Sequence, residues 1–174
     1  MVWLLLLQAL WFILPAYAAN AFPPLLNGKR PLDLGGKIHK QRILGDGKTI
    51  EGTVGGILFG FFIGLIQIYV QDFVPAEWGL GLIEMSIPLI LLLSTGAVIG
   101  DILGSFTKRR FNIKRGKPAP FIDQLDFLVF AILAAGFVLS IRIDIIIVLL
   151  IITPPIHLIT NMIGYLAKVK KTPW

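Results

Sequence analysis

The chain has 174 residues, of which 56% are hydrophobic and only 15% charged, and its mean hydropathy is +0.82. Soluble domains carry roughly 25% charged residues, so this composition excludes an ordinary soluble globule and describes a polytopic membrane protein. Sixteen Lys and Arg against ten Asp and Glu leave a net charge of +6, which favours an anionic partner such as a phosphate, and the lack of cysteine removes disulfide and thiol chemistry.

Apolar stretches near the roughly 20 residues of a bilayer span run over 1–19, 53–74, 86–106, 121–141 and 143–167. The sequence therefore predicts an all-α, single integral membrane domain over 1–174 with five transmembrane helices and two long basic loops, 20–52 and 107–120. The first stretch competes with a secretory signal peptide, because Ala16, Tyr17 and Ala18 resemble a small-residue cleavage site. It lacks a positively charged leader, and cleavage would place the most basic loop outside, so a retained helix is expected.

The loop 20–52 is too long and too patterned for a plain connector. Gly45, Gly47 and Gly52 flank Lys48 and Thr49 just before the second helix, an arrangement in which backbone N–H groups and a lysine can meet phosphate oxygens. The spacing is not that of a nucleotide-triphosphatase loop. A basic loop resting on anionic lipid is the alternative.

In the second and third helices, Gly52, Gly56, Gly60 and Gly64 repeat every four residues, as do Gly96, Gly100 and Gly104. Each row makes a smooth face for close helix approach, so the two helices are expected to pack on each other. Gln67 in the second helix reads as interhelical glue. Asp101, Ser105 and Lys108 share a face of the third helix at i, i+4 and i+7, with Arg109 and Arg110 at its mouth. An ionisable residue among apolar ones costs about 2.5–3.5 kcal/mol even on the lenient insertion scale, so Asp101 marks function.

Asp123 and Asp126, at i and i+3, open the fourth helix on one face. Carboxylates from two helices beside many cations form the oxygen-donor set that Mg²⁺ takes together with substrate phosphates. The alternative is that Asp123 caps its helix while Asp101 pairs with Lys108 or Arg109. A tight turn around Ser140, Arg142 and Asp144 must separate the fourth and fifth helices. In the fifth, Thr153, Pro154 and Pro155 predict a kink, and His157, Thr160 and Asn161 predict interhelical hydrogen bonds.

Lysines and arginines concentrate in the two long loops and in the tail, which carries Lys168, Lys170 and Lys171. With five spans these segments share one side, predicting an outside amino terminus, a cytoplasmic carboxyl terminus and a polar cluster facing the cytoplasm of a cell membrane. No nucleic-acid reading module surrounds the basic residues. A small transporter or channel using Asp101 as an ion site is the rival reading, but it predicts polar groups strung through several helices rather than gathered at one face.

Several runs together resemble the archaeal CDP-archaeol synthases, membrane cytidylyltransferases related to the CDP-diacylglycerol synthases. They are Asn20 with Phe22 and Pro23, Arg30 through Gly36, and Gly45 through Gly52, followed by Gly100, Asp101, Ser105, Lys108, Arg109 and Arg110. Gly116, Pro118, Pro120, Asp123, Gln124 and Asp126 close the series. In the wider superfamily an arginine is usual where Gln124 stands. The resemblance implies Mg²⁺-dependent transfer of a cytidylyl group from CTP to 2,3-bis-(O-geranylgeranyl)-sn-glycerol 1-phosphate, yielding CDP-archaeol and pyrophosphate. It also implies that Asp101, Asp123 and Asp126 are catalytic and hold the metal, while Lys48, Lys108, Arg109, Lys114 and Arg115 offset phosphate charge. Asn20, Thr49, Glu51, Ser105 and Gln124 complete the implied substrate-binding set.

Overall fold

The computed structural model describes residues 2–39, 41–113, 117, 119–170 and 172. Five α-helices organise it: α1 Val2–Ala21, α2 Ile50–Gln71, α3 Ile87–Arg110, α4 Ile122–Ala135 and α5 Ile143–Leu166. Four of them, all but α4, are long and apolar enough to cross a membrane. Leu, Ile, Val and Phe side chains line their outer faces, with Leu58, Phe62, Ile151 and Ile159 each more than half exposed, as suits surfaces meant for lipid.

Several helix ends differ from the sequence reading: α1 runs on to Ala21, and α2 starts three residues early, capped by Thr49, and ends three residues early at Gln71. α3 continues to Arg110 because Lys108, Arg109 and Arg110 occupy its last turn, where cations complement the helix dipole. α4 stops at Ala135 instead of reaching 141. Gly136 closes it by donating to the carbonyls of Ile132 and Ala134, and the chain then turns before α5, leaving a 14-residue helix about 21 Å long. The break expected near Ser140 is present, with Arg142 extended ahead of α5 and paired to Asp144.

Lipid tails are as apolar as leucine, so membrane helices associate through close packing and hydrogen bonds rather than hydrophobic burial. A spine of Phe12, Ile13, Ile90, Leu93, Leu128, Ile145 and Leu149, all essentially inaccessible, joins α1, α3, α4 and α5. The α2 glycines work as expected: Gly56 lies against the Ala19 carbonyl, Gly60 against Pro15 and Ser94, and Gly64 against Ile90. The α3 row faces elsewhere than expected. Gly96, Gly100 and Gly104 receive Phe130, Ala131, Asp126 and Phe127 of α4, while α3 meets α2 through Ile90, Ser94 and Val98. A glycine row specifies a close approach but not the partner that makes it.

Polar side chains tie the helices together. Gln67 Nε2 donates to the Trp11 carbonyl at 2.7 Å, Trp11 Nε1 to Ile83 O at 3.0 Å, and Tyr17 shares a 2.6 Å hydroxyl contact with Thr153. α5 remains one helix through Pro154 and Pro155. His157, Thr160 and Asn161 make no bond to another span among the described residues: Thr160 donates to its own helix and Asn161 contacts His157 and the tail residue Lys170.

The segment between α1 and α2 is structured. A 3₁₀ turn, Pro23–Leu26, is followed by a two-residue antiparallel hairpin, β1 Lys37–Ile38 with β2 Gln41–Arg42, and by a bridge between Pro31 and Thr49. Asp33, its side chain 1% exposed, is the hub: it accepts from Arg42, from the backbone N–H groups of Leu44 and Gly45, and from that of Gly35. The Arg42 guanidinium, helped by those N–H groups, holds the Asp33 carboxyl well below the usual range. Arg110 then docks the hairpin onto the end of α3 by donating to the carbonyls of Ile38 and Arg42.

Candidate functional site

The end of α3 and the start of α4 meet where backbones approach most closely. A Cβ at Gly100 would stand 2.4 Å from the Asp126 carbonyl, and one at Gly104 would stand 1.8 Å from Asp126 Oδ2. Only glycine at 104 leaves room for that carboxylate, so the row noted in the sequence doubles as a cradle for an acidic side chain. Asp126 Oδ1 accepts from the Phe127 N–H at 2.6 Å, whereas Oδ2 is buried without a hydrogen-bond partner. A buried, orphaned carboxylate oxygen costs several times what a satisfied one does, so its persistence calls for a ligand.

Around Asp126 stand two lysine–carboxylate pairs. Lys48, delivered by the loop just before α2, pairs with Asp101 of α3, and Lys108 of α3 pairs with Asp123 of α4. Asp123 also accepts from the Ala119 N–H at 2.7 Å, so it fastens the entry of α4 while facing the cluster. Asp101, Lys108 and Lys48 all lie within electrostatic range of Asp126. The site thus joins three segments distant in sequence, and Asp101 takes a loop lysine as partner rather than Lys108 or Arg109.

The remaining sequence-predicted residues divide by position. Ser105 is buried on α3 one turn beyond Asp101, and Gln124 is half-buried in the first turn of α4. Asn20 lies at the end of α1 and lines a cavity between α1 and α5. Thr49 caps α2, its Oγ1 accepting from the Gly52 N–H at 3.1 Å. Glu51 pairs with Arg30 at 2.9 Å on the surface of the loop. Arg109 braces the loop and the α3 exit by donating to the carbonyls of Leu44 and Ile113. Lys114 and Arg115 lie outside the described residues.

Among the described residues no three His, Cys, Asp or Glu side chains converge as a ready-made metal site. Asp101 and Asp123 are each engaged by a lysine. The donor chemistry nevertheless fits a divalent cation: carboxylate oxygens are the ligands hard cations take, such ions often use only one or two of them beside phosphate oxygens, and Asp126 Oδ2 is available. A phosphate-bearing substrate would compete for Lys48 and Lys108 and release their carboxylates.

Beside this cluster a cavity of about 330 Å³ opens between α1 and α5. Leu25, Phe127, Ile156 and Ile163 make the apolar part of its walls, and among its polar side chains are Tyr17 and Thr153, bonded to each other, with Asn20, His157, Asn161 and Lys170. Phe127, the neighbour of Asp126, connects the two regions through ring contacts with Tyr17 at 5.8 Å and His157 at 6.1 Å. Lys170 was counted in the sequence only as tail charge; its place at the cavity follows from a chain reversal that no periodicity reveals. The i, i+4 pair His157 and Asn161 on an apolar helix was the one visible signal.

The whole chain, residues 1–174, matches the family model described as CarS-like CDP-archaeol synthase. The CDP-archaeol synthase of Thermococcus kodakarensis is 45% identical over 169 residues, covering 95% of each chain. That of Methanocaldococcus jannaschii is 42% identical over 177 residues, covering 100% of both. A solved structure of an intramembrane enzyme for archaeal membrane lipids biosynthesis superposes with a TM-score of 0.77 at 34% identity, covering 90% of this chain and 94% of that one.

Proposed function

The chain belongs to the CDP-archaeol synthase family, and from that premise we propose how its residues form a CDP-lipid. The reaction joins CTP to 2,3-bis-(O-geranylgeranyl)-sn-glycerol 1-phosphate. An oxygen of the lipid phosphate bonds to the α-phosphorus of CTP, the bond from that phosphorus to the β-phosphate bridge breaks, and pyrophosphate leaves with the electron pair. A phosphate monoester has its second pKa near 6 and is largely ionised at neutral pH. No side chain need act as general base.

Catalysis is then positioning and charge neutralisation. Lys48 and Lys108 exchange Asp101 and Asp123 for phosphate oxygens, with Arg109 and the loop residues Lys114 and Arg115 adding positive charge around the pyrophosphate. Ser105 donates to a phosphate oxygen, and Asn20, Thr49, Glu51 and Gln124 shape the surroundings of the substrates. Asp126, with the freed Asp101 and Asp123, would hold a divalent cation, which we take to be Mg²⁺. Such an ion supplies electrophilic neutralisation of nucleotide phosphates. The observation that carries this reading is the partnerless Asp126 oxygen, seated at Gly104 and flanked by two lysine–carboxylate pairs.

The protein sits in the membrane because one substrate does. We place the site at the cytoplasmic face, where CTP is available, with five crossings in one catalytic domain, the amino terminus outside and the carboxyl terminus inside. In this arrangement the short α4 crosses with the help of residues 136–142. The rival reading as a transporter or channel falls away with family membership.

An assay with purified protein, labelled CTP, Mg²⁺ and the ether-lipid phosphate tests the chemistry directly. Labelled CDP-lipid is expected, and none from the unaltered protein would end the proposal. Because the natural chain has no cysteine, single cysteines placed in the hairpin and in 136–142 can report sidedness by impermeant labelling. Labelling of both from the same face would refute the topology.

A further inference from the structure

Lys170 stands beyond the last helix yet does not point into solvent. After α5 the chain reverses at Lys168, whose φ of 59° is left-handed, and the N–H groups of Val169 and Lys170 both donate to the Gly164 carbonyl at 2.9 and 3.0 Å. This closure lays the Lys170 stem along Gly164, where a Cβ would lie 3.5 Å from the lysine Cγ and Cδ. The ammonium then reaches Asn161, whose Oδ1 accepts its hydrogen bond, inside the wall of the apolar cavity between α1 and α5.

That position is electrostatically unfinished. Asn161 is 3% exposed, and the ammonium it receives meets a neutral amide oxygen; among the described residues no carboxylate pairs with Lys170. A partly desolvated cation with no carboxylate in direct contact is costly and is stabilised by binding an anion. Burial, the foremost cause, holds the Lys170 ammonium below the usual lysine value, with Asp101 and Asp123 opposing it from a distance. The acidic cluster is nearby, since Asp101 and Asp123 act on Lys170 electrostatically. An anion on this lysine would therefore lie between an apolar cavity and the carboxylates of the reaction site.

We propose that Lys170, held by Asn161 and the turn after α5, binds the phosphate of the lipid substrate while its hydrocarbon chains occupy the cavity between α1 and α5. The cavity favours this ligand over the nucleotide. Its walls offer Leu25, Phe127, Ile156 and Ile163 to an alkyl chain, and most of its polar side chains are already engaged, Tyr17 with Thr153, Thr160 with its own helix and Asn161 with His157 and Lys170, which leaves little for a base or ribose. A molecule apolar along its length and doubly charged at one end is the ligand that such a lining with a single cation at its rim accepts. Lys170 is accordingly a binding residue, and Asn161 a positioning residue acting through it.

This inference rests on the proposed cytidylyl transfer, and the experiment separates the two. Steady-state kinetics of the full chain in detergent, varying lipid phosphate and CTP in turn, would compare the unaltered protein with Lys170→Met and Lys170→Arg. Turnover by the unaltered protein tests the reaction itself. Lys170→Met should raise KM for the lipid phosphate about tenfold or more while leaving KM for CTP within about twofold, and Lys170→Arg should restore most of the loss. A parallel measurement, the melting shift on adding the diether phosphate or the diether alcohol without phosphate, reads binding without turnover. The phosphate-specific part of the shift should vanish in Lys170→Met. An unchanged lipid KM, a rise confined to CTP, or equal shifts with both lipids would overturn the assignment.

Discussion

Gly104→Ala is the sharpest test of the site because it perturbs the Asp126 carboxylate without removing it. The new Cβ would fall 1.8 Å from Asp126 Oδ2 and 2.7 Å from its Cγ, while ordinary contacts begin near 3.4 Å. The obstructing atoms are the end of a side chain, so the carboxylate can swing aside by somewhat more than about 1 Å and the helices can stay in place. A displacement of that size at a reacting centre costs on the order of 10²-fold in rate, or about 2.7 kcal/mol of barrier. Gly100→Ala supplies the contrast. Its Cβ would meet the Asp126 carbonyl at 2.4 Å and the Phe127 Cα at 2.8 Å, backbone atoms that cannot move without parting α3 from α4, so stability should fall by roughly 1–3 kcal/mol or more. CDP-lipid formation from labelled CTP and thermal melting in detergent, measured on both variants, separate the outcomes. Full activity in Gly104→Ala with an unchanged melt would refute the idea that the seat of this carboxylate matters.

Other outcomes follow from the same geometry. Asp126→Asn keeps the volume but removes the negative charge, and should lower turnover by about 10²-fold or more with little change in folding; an active variant would end its role as a cation ligand. Lys48→Met leaves Asp101 without its loop partner, so turnover should fall by at least about tenfold and the loop before α2 should become more open to protease. The Asp33 carboxyl is held low by Arg42, so its contribution is fully present above the unfolded value near 3.9 and is lost only as pH falls toward its depressed folded value. Protease resistance of the segment 27–49 should therefore be flat from about pH 5 to 8 and should drop across that whole range in Asp33→Asn, whereas a loss confined to acid pH would contradict the hub. Tyr17→Phe deletes the hydroxyl contact to Thr153 and should cost about 1 kcal/mol in a melting or denaturant series.

How much of this was legible in the sequence depended on the distance over which each residue acts. Helical periodicity put Asp101, Ser105 and Lys108 on one face, and the four-residue glycine spacing marked the smooth faces of α2 and α3, because both are properties of a single helix. The partner of each face was another matter. Asp101 meets Lys48 across 53 residues, and Gly104 receives Asp126 of α4 rather than a side chain of α2. Both depend on tertiary packing. The length of α4 was overestimated because an apolar run continues past Gly136 without a charge to stop it, while hydrogen bonding closes the helix there. Thr49 and Glu51, which the resemblance implies as substrate contacts, also serve locally in capping and loop pairing, roles that spacing alone does not show, and the reversal that brings Lys170 back to Asn161 is set by a left-handed residue no pattern announces.

The docking of the hairpin by Arg110 carries a last consequence. Its guanidinium grasps the carbonyl oxygens of Ile38 and Arg42, atoms that every amino acid possesses, and not the side chains that distinguish them. Arg110 therefore does not read Lys37 or Ile38 by side chain, whereas Arg42 and Gln41 are held by their own side chains on Asp33 and Asn112. Exchanging Arg110 would loosen the ribbon itself, whereas the rest of the segment would stay anchored through Lys48 on Asp101 and through Arg109 on the Leu44 carbonyl.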